Sequence, residues 1–114
     1  MDTIKDLAAD MLRDMYEQSV RDDVLFTTAQ EFVDYVFAEA NTDNALPGYE
    51  SAEAAMQVLT DDKATVDKIL EERGKYIPDN PFADPAGFLV FCVEYTAAKM
   101  VNNNEFDMET GELV

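Results

Sequence analysis

Carboxylates at every fourth position are the chemistry this sequence offers most plainly. Asp2, Asp6, Asp10 and Asp14 form the row, and Glu17 extends it. On a helix four residues advance about 6 Å. Phosphates along one DNA strand advance about 3.4 Å per nucleotide along the axis and lie farther apart through space. A carboxylate on each turn is therefore a candidate stand-in for a phosphate track. The row drifts by about 40° per step on an ideal helix, as a ligand following a groove requires. Like charges at i, i+4 cost a helix some stability, so four in succession call for a reason. The bland reason is that any amphipathic helix in a very acidic chain shows acids opposite its apolar face. Asp2 and Asp6 also suit the positive end of a helix dipole, and Arg13 is placed to pair with Asp10 and Glu17.

Other reactive patterns are weak. There is no histidine, so the commonest general base and metal ligand is missing. Cys92 sits in Leu89-Val90-Phe91-Cys92-Val93, an apolar setting that keeps a thiol protonated and inert. The glycines Gly48, Gly74, Gly87 and Gly111 are too scattered for a phosphate-binding loop. Asp43 to Gly48 has glycine at the sixth place of a calcium loop but lacks oxygen ligands at the third and fifth, and Asn102 to Glu109 fails similarly. Glu94 is the odd residue of an apolar helix: buried, it would titrate high; otherwise it marks a strip that reaches solvent or pairs with a lysine. Tyr16, Tyr35, Tyr49, Tyr76 and Tyr95 are dispersed and read as core edges with wet hydroxyls. These readings predict no catalytic residues, no metal and no cofactor: a binding protein, not an enzyme.

The totals agree. Twenty-five Asp and Glu against eight Lys and Arg leave the 114-residue chain at a net charge of −17, with a sequence pI near 4.1. Such a field repels nucleic acid and anionic membrane and attracts basic surfaces. Apolar residues still make up 47% and aromatics 11%, so the charge coats a real core rather than a disordered chain. One cysteine excludes an internal disulfide and fits a reducing compartment. The acidic start MDTIKDLAADM is unlike a signal peptide, and the longest apolar run, Phe88 to Val93, is far short of a membrane span. The expectation is a cytoplasmic protein.

The elements that must position these residues are helices. Ile4, Leu7, Ala8, Met11, Leu12 and Met15 give one apolar face over Thr3 to Val20. Thr28 and Glu31 form a capping box for a helix burying Phe32, Val33, Val36 and Phe37, which ends in the turn-rich stretch Asn41 to Gly48. A short helix is expected over Ser51 to Leu59. Asp61 or Asp62 then caps another, with Val66, Ile69 and Leu70 inward and Gly74 as its C′ residue. Tyr76 to Ala83 is a connector. Asp84-Pro85 opens a helix to about Val101 that is apolar nearly all round and belongs at the centre. Glu105 to Glu109 changes to period two, and with Thr110-Gly111 before Leu113-Val114 it reads as a small hairpin or as a frayed tail. The fold class is thus mostly α: about five helices in one compact domain over residues 1–101 around the apolar C-terminal helix, with an acidic hairpin or tail over 102–114.

Charge is not evenly balanced. Lys63, Lys68, Arg73 and Lys75 lie in or just after one helix, where Lys63 with Asp67 and Lys68 with Glu72 make i, i+4 pairs. Ten acids against three bases fall in residues 1–40, and six against one in 81–114. The expected contact is therefore Asp2, Asp6, Asp10, Asp14 and Glu17, with Asp22, Asp23, Glu105, Asp107, Glu109 and Glu112 as a second patch. The expected partner is the basic groove of a nucleic-acid-binding protein or nuclease. The mechanism is occlusion, without direct nucleic-acid or membrane binding, by a monomer or homodimer. In size and composition, though in no motif, the chain is similar to small acidic proteins of phages and mobile elements that imitate nucleic acid to block restriction enzymes, CRISPR effectors or nucleoid proteins. Colicin-type immunity proteins share the same character. Two rivals make different expectations. A halophile protein should lose structure in low salt. An adaptor docking through exposed Leu46, Phe82, Phe106 or Met108 should bind as tightly or better when salt rises.

Overall fold

The structure is a computed structural model and describes residues 3–40, 46, 48–49, 51–74 and 80–114. Helix α1 (Ile4–Arg21) starts at Thr3, whose hydroxyl accepts the Asp6 N–H while the Asp6 carboxylate accepts the Thr3 N–H. This is a complete capping box built with Asp in place of the usual Glu or Gln. Helix α2 (Ala29–Ala40) is capped as the sequence predicts by Thr28, whose hydroxyl accepts the Glu31 N–H at 3.2 Å. The Glu31 carboxylate reaches past Thr28 to the Thr27 N–H at 2.8 Å. Ser51 caps α3 (Ala52–Asp61), and Asp62 leads into α4 (Lys63–Arg73).

Asp62 does not cap α4 with its side chain. One carboxylate oxygen accepts from the Thr65 hydroxyl at 2.9 Å, and the other accepts the Ile4 N–H at 2.9 Å. It thereby satisfies an orphan donor of α1 and pins the start of that helix to the α3–α4 junction. Gly74 also departs from expectation: with φ −54° and ψ −30° it stays in the right-handed region and serves as the C-cap, so it is not a left-handed C′ residue. The connector closes with a 3-10 turn at Pro81–Ala83, while residues 75–79 lie outside the described part.

Helix α5 (Pro85–Asn102) is the centre, as its sequence predicts. Asp84 accepts the Gly87 N–H at 3.2 Å, with proline in the first turn. A Cβ at Gly87 would collide with that carboxylate, so glycine lets the cap close. The helix packs chiefly on α1 and α3, then on α2. Its Phe88, Leu89, Cys92, Val93, Ala97, Met100 and Val101 are buried against Ile4, Leu12, Phe32, Val36, Ala55, Leu59, Val66 and Ile69. Leu70 and Phe37 are only partly buried at the edge of that core.

The C-terminal segment is an antiparallel hairpin, β1 (Phe106–Asp107) and β2 (Glu112–Leu113), with Phe106 opposite Leu113 and Asp107 opposite Glu112. Phe106 is buried, stacked on Phe32 at 5.6 Å between ring centres and meeting the Tyr16 ring edge-on at 6.5 Å. Asp107 accepts the Glu109 N–H at 2.8 Å within the turn, the local bond for which Asp is favoured in turns. Gly111, at φ +76°, lies flat on the Tyr16 ring. Among the described residues no helix is long and apolar enough to cross a membrane.

Candidate functional site

Helix α1 turns its apolar stripe to α5 and its acids to solvent. Asp6, Asp10, Asp14 and Glu17 are all exposed, so four of the five predicted row residues lie along one outer face. Asp2 lies outside the described residues. The four are not equivalent. Asp6 closes the capping box, and its hydrogen bonds from the Thr3 N–H and hydroxyl hold its carboxyl below the ordinary range. That makes Asp6 part of the helix terminus first. Asp10 pairs with Arg13 at 3.3 Å in an exposed ion pair that contributes little. Asp14 titrates high: partial burial disfavours its charge, and Glu17 and Asp10 add like-charge repulsion. Arg13 and Arg21 offset part of that repulsion.

The second predicted patch falls into two places. Asp22 and Asp23 follow α1. The Asp23 N–H donates to Val20 at 3.2 Å and the Val24 N–H to Ser19 at 2.9 Å. That is the Schellman pattern, here with Asp23 at φ 56° where glycine is usual. Both acids sit where the helix dipole disfavours negative charge. Glu105, Asp107, Glu109 and Glu112 lie on the hairpin, which is tied to α1 at two points. Lys5 pairs with Glu105 at 2.9 Å, and the Tyr16 hydroxyl donates to the Glu109 carbonyl at 2.9 Å. Glu105 is thus partly neutralised and Asp107 is spent on the turn. Glu109 and Glu112 project outward.

A groove of about 460 Å³ runs between α1 and the hairpin, lined by Arg13, Tyr16, Glu17, Thr110, Gly111, Glu112 and Leu113. It brings Glu17 and Glu112 to one surface from opposite ends of the sequence. Sequence spacing could not show this, because it depends on Tyr16 and Gly111 meeting.

A second groove, of about 400 Å³, gathers three of the lysines, Lys5, Lys68 and Lys99, with Tyr95 and Glu72. Glu72 makes its ion pair with Lys99 rather than with its predicted partner Lys68, whose charge still favours the ionised carboxylate. It accepts from the Tyr95 hydroxyl and pairs with Lys99 at 3.1 Å, and these bonds lower its carboxyl. The helix-to-helix contact wins because a phenol and an ammonium together outbid one flexible i, i+4 lysine. Lys63 and Asp67 do pair, at 2.6 Å.

Cys92 and Glu94 are the two side chains weighed above for chemistry. Cys92 is fully buried, and burial pushes its thiol up to about 12. Glu94 is half-buried with a raised carboxyl, and its Oε1 has no hydrogen-bond partner among the described residues. The lysine pair expected as one alternative does not form among the described residues. Among the described residues no cluster of three metal-ligating side chains occurs. Most of the 43–48 loop lies outside those residues. The apolar contacts of the adaptor reading also change: Leu46 and Phe106 are buried and Met108 half-buried, leaving Phe82 exposed. No family model, curated protein or solved structure matches this chain.

Proposed function

We propose that this protein is a binding protein that occupies the basic groove of a nucleic-acid-binding protein or nuclease, as a nucleic-acid mimic. Asp10, Asp14 and Glu17 on α1, continued across the groove by Glu112, would stand in for phosphates, with Asp22, Asp23 and Glu109 extending the contact. The activity is occlusion rather than catalysis. The observation that carries the reading is the convergence of Glu17 and Glu112 on one groove beside the crowded Asp14. Acids from two distant segments share one surface, with Arg13 the one cation among the described residues lining the groove. The field of a −17 chain would speed association with a cationic partner, and salt would weaken it.

The test is capture with the tagged full chain, followed by elution with duplex DNA or with RNA. Captured proteins should bind nucleic acid and be released by it. Replacing Asp10, Asp14 and Glu17 by Asn, Asn and Gln removes up to three exposed ion pairs, each worth about 0.2–1 kcal/mol, so affinity should fall roughly tenfold. The salt slope should flatten too. Amides at Glu53, Asp67 and Glu71 change the charge equally and should do much less. Partners that hold nucleic acid and this protein together, or equal losses from the two triple variants, would sink the mimic.

A further inference from the structure

Helix α1 does not end as a soluble helix should. Within six residues Val20, Val24 and Leu25 are 60%, 36% and 87% exposed. Elsewhere among the described residues large exposed apolar side chains stand singly, as Met56 and Phe82 do, or end the chain, as Leu113 and Val114 do. Single ones need no explanation; a group is different. The turn bearing this group is held by the Asp23 and Val24 backbone bonds to Val20 and Ser19, so the side chains are presented from a fixed frame. On a helix at about 100° per residue, Val20 lies about 60° from Glu17, on the acidic face. The apolar tip continues the proposed surface. The Asp22 and Asp23 side chains beside it make no hydrogen bond or ion pair among the described residues.

Charge selects the occupant. A second copy brings another −17, and nucleic acid or an anionic membrane is repelled for the same reason. A protein surface with an apolar recess rimmed by lysine or arginine fits both features. We propose that this turn is the apolar anchor of the docking surface, Val20, Val24 and Leu25 entering such a recess while Asp22 and Asp23 meet the cations at its rim. The inference rests on the proposed binding to a basic protein and supplies the part of that contact which salt cannot screen. Interfaces concentrate affinity in a few desolvated apolar anchors beside charged groups that set orientation, and a preformed turn loses little entropy on docking.

The test uses two synthetic helical peptides of equal length and charge, one lysine-rich with a leucine stripe and one with those leucines replaced by serine. Binding to the full chain is measured by fluorescence anisotropy at about 0.1 M and about 1 M salt, where the screening length falls from about 10 Å to about 3 Å. The wild-type protein should prefer the leucine peptide and keep that preference at high salt. Val20→Ser with Leu25→Ser should cut leucine-peptide affinity about tenfold and leave the serine peptide unchanged. Asp22→Asn with Asp23→Asn should weaken both peptides at low salt only. Both pairs of residues are exposed, so circular dichroism should show every variant folded. The anchor is overturned if the Val20/Leu25 variant binds the leucine peptide like wild type, or if Met56→Ser with Phe82→Ser costs as much. The two proposals fail separately. Loss of leucine-peptide binding, with captured partners that ignore DNA, keeps the anchor and removes the mimic. The reverse pattern removes the anchor alone.

Discussion

Asp23 should be replaceable at a gain in stability. It holds φ 56° at the C′ position of α1, where a Cβ costs about 1–2 kcal/mol, somewhat less for Asp because its short polar side chain tolerates that region. Its carboxylate also faces the negative end of an 18-residue helix, a further cost of about 0.3–1 kcal/mol. Asp23→Asn removes only the charge and should gain about 0.5 kcal/mol. Asp23→Gly removes both costs but restores about 0.5–1 kcal/mol of unfolded-state freedom, for a net gain near 1 kcal/mol. Asp23→Ala relieves the charge yet keeps an unhelpful Cβ, and should fall about 1 kcal/mol below glycine. The assay is urea and thermal denaturation followed by helical circular dichroism, where 1 kcal/mol is about 4 °C in a domain of this size. Raising the salt should shrink the asparagine gain, since dipole interactions are screened, and leave the glycine–alanine gap intact. Equal stability of the glycine and alanine variants would refute the reasoning, because residue 23 would not then be left-handed. If the acid is kept for a partner, the stabilised variants should bind it less well.

Two other perturbations follow from the geometry. Gly111→Ala places a methyl into the Tyr16 ring at a φ that L residues avoid; it should cost about 2 kcal/mol, free the hairpin from α1 and change tyrosine fluorescence, whereas unchanged fluorescence and stability would mean that the hairpin does not pack there. The carboxylates divide by pH. Asp14 and Glu94 titrate high because of burial, so their penalty is present above their raised pKa values and is relieved as pH falls through them. Asp6, Glu31 and Glu72 are held low by Thr3, by Thr27 and by Tyr95 with Lys99, so their contribution is present above the ordinary carboxylate range and is lost as pH falls through their depressed values. Stability should rise from neutral pH into the upper part of that range and drop below it. Glu94→Met should add about 1 kcal/mol at neutral pH and flatten the rise, and a loss there would show Glu94 to be hydrogen-bonded.

What the sequence made legible was local. Asp84-Pro85, the apolar run of α5 and the Thr28–Glu31 cap are signals spanning a few residues, and each holds in the fold. The Thr3–Asp6 box carried the same signal with Asp for Glu and was readable in principle. The Asp62 bond to Ile4 spans 58 residues, and no pattern within a helix foretells it. Glu72 was misassigned because i, i+4 spacing sees only its own helix, while Tyr95 and Lys99 come from another. The hairpin stayed ambiguous until Phe106 found Phe32 and Tyr16, since two-residue strands carry no period of their own. The acid row was legible as spacing on α1. Its extension to Glu112 was not, because two segments had to pack first.

That packing separates two kinds of acid in a chain where composition alone treats all twenty-five alike. Asp6, Glu31, Asp62, Glu72, Asp84 and Asp107 accept hydrogen bonds that cap a helix, join helices or close a turn. They would be retained in any protein with this fold. Asp14, Glu17, Asp22, Asp23 and Glu112 have no such employment. Asp14 is crowded by its neighbours, Asp22 and Asp23 oppose the helix dipole, and Glu112 stands opposite Asp107 across the strands, where like charges destabilise. A coat serving only solubility or salt tolerance has no reason to gather acids at a helix C-terminus or opposite one another across strands. The costly acids instead gather on α1, the turn that ends it and the hairpin packed beside it, next to the exposed Val20 and Leu25. Local rules broken together on one surface, without return inside the molecule, are where the return is expected from a partner.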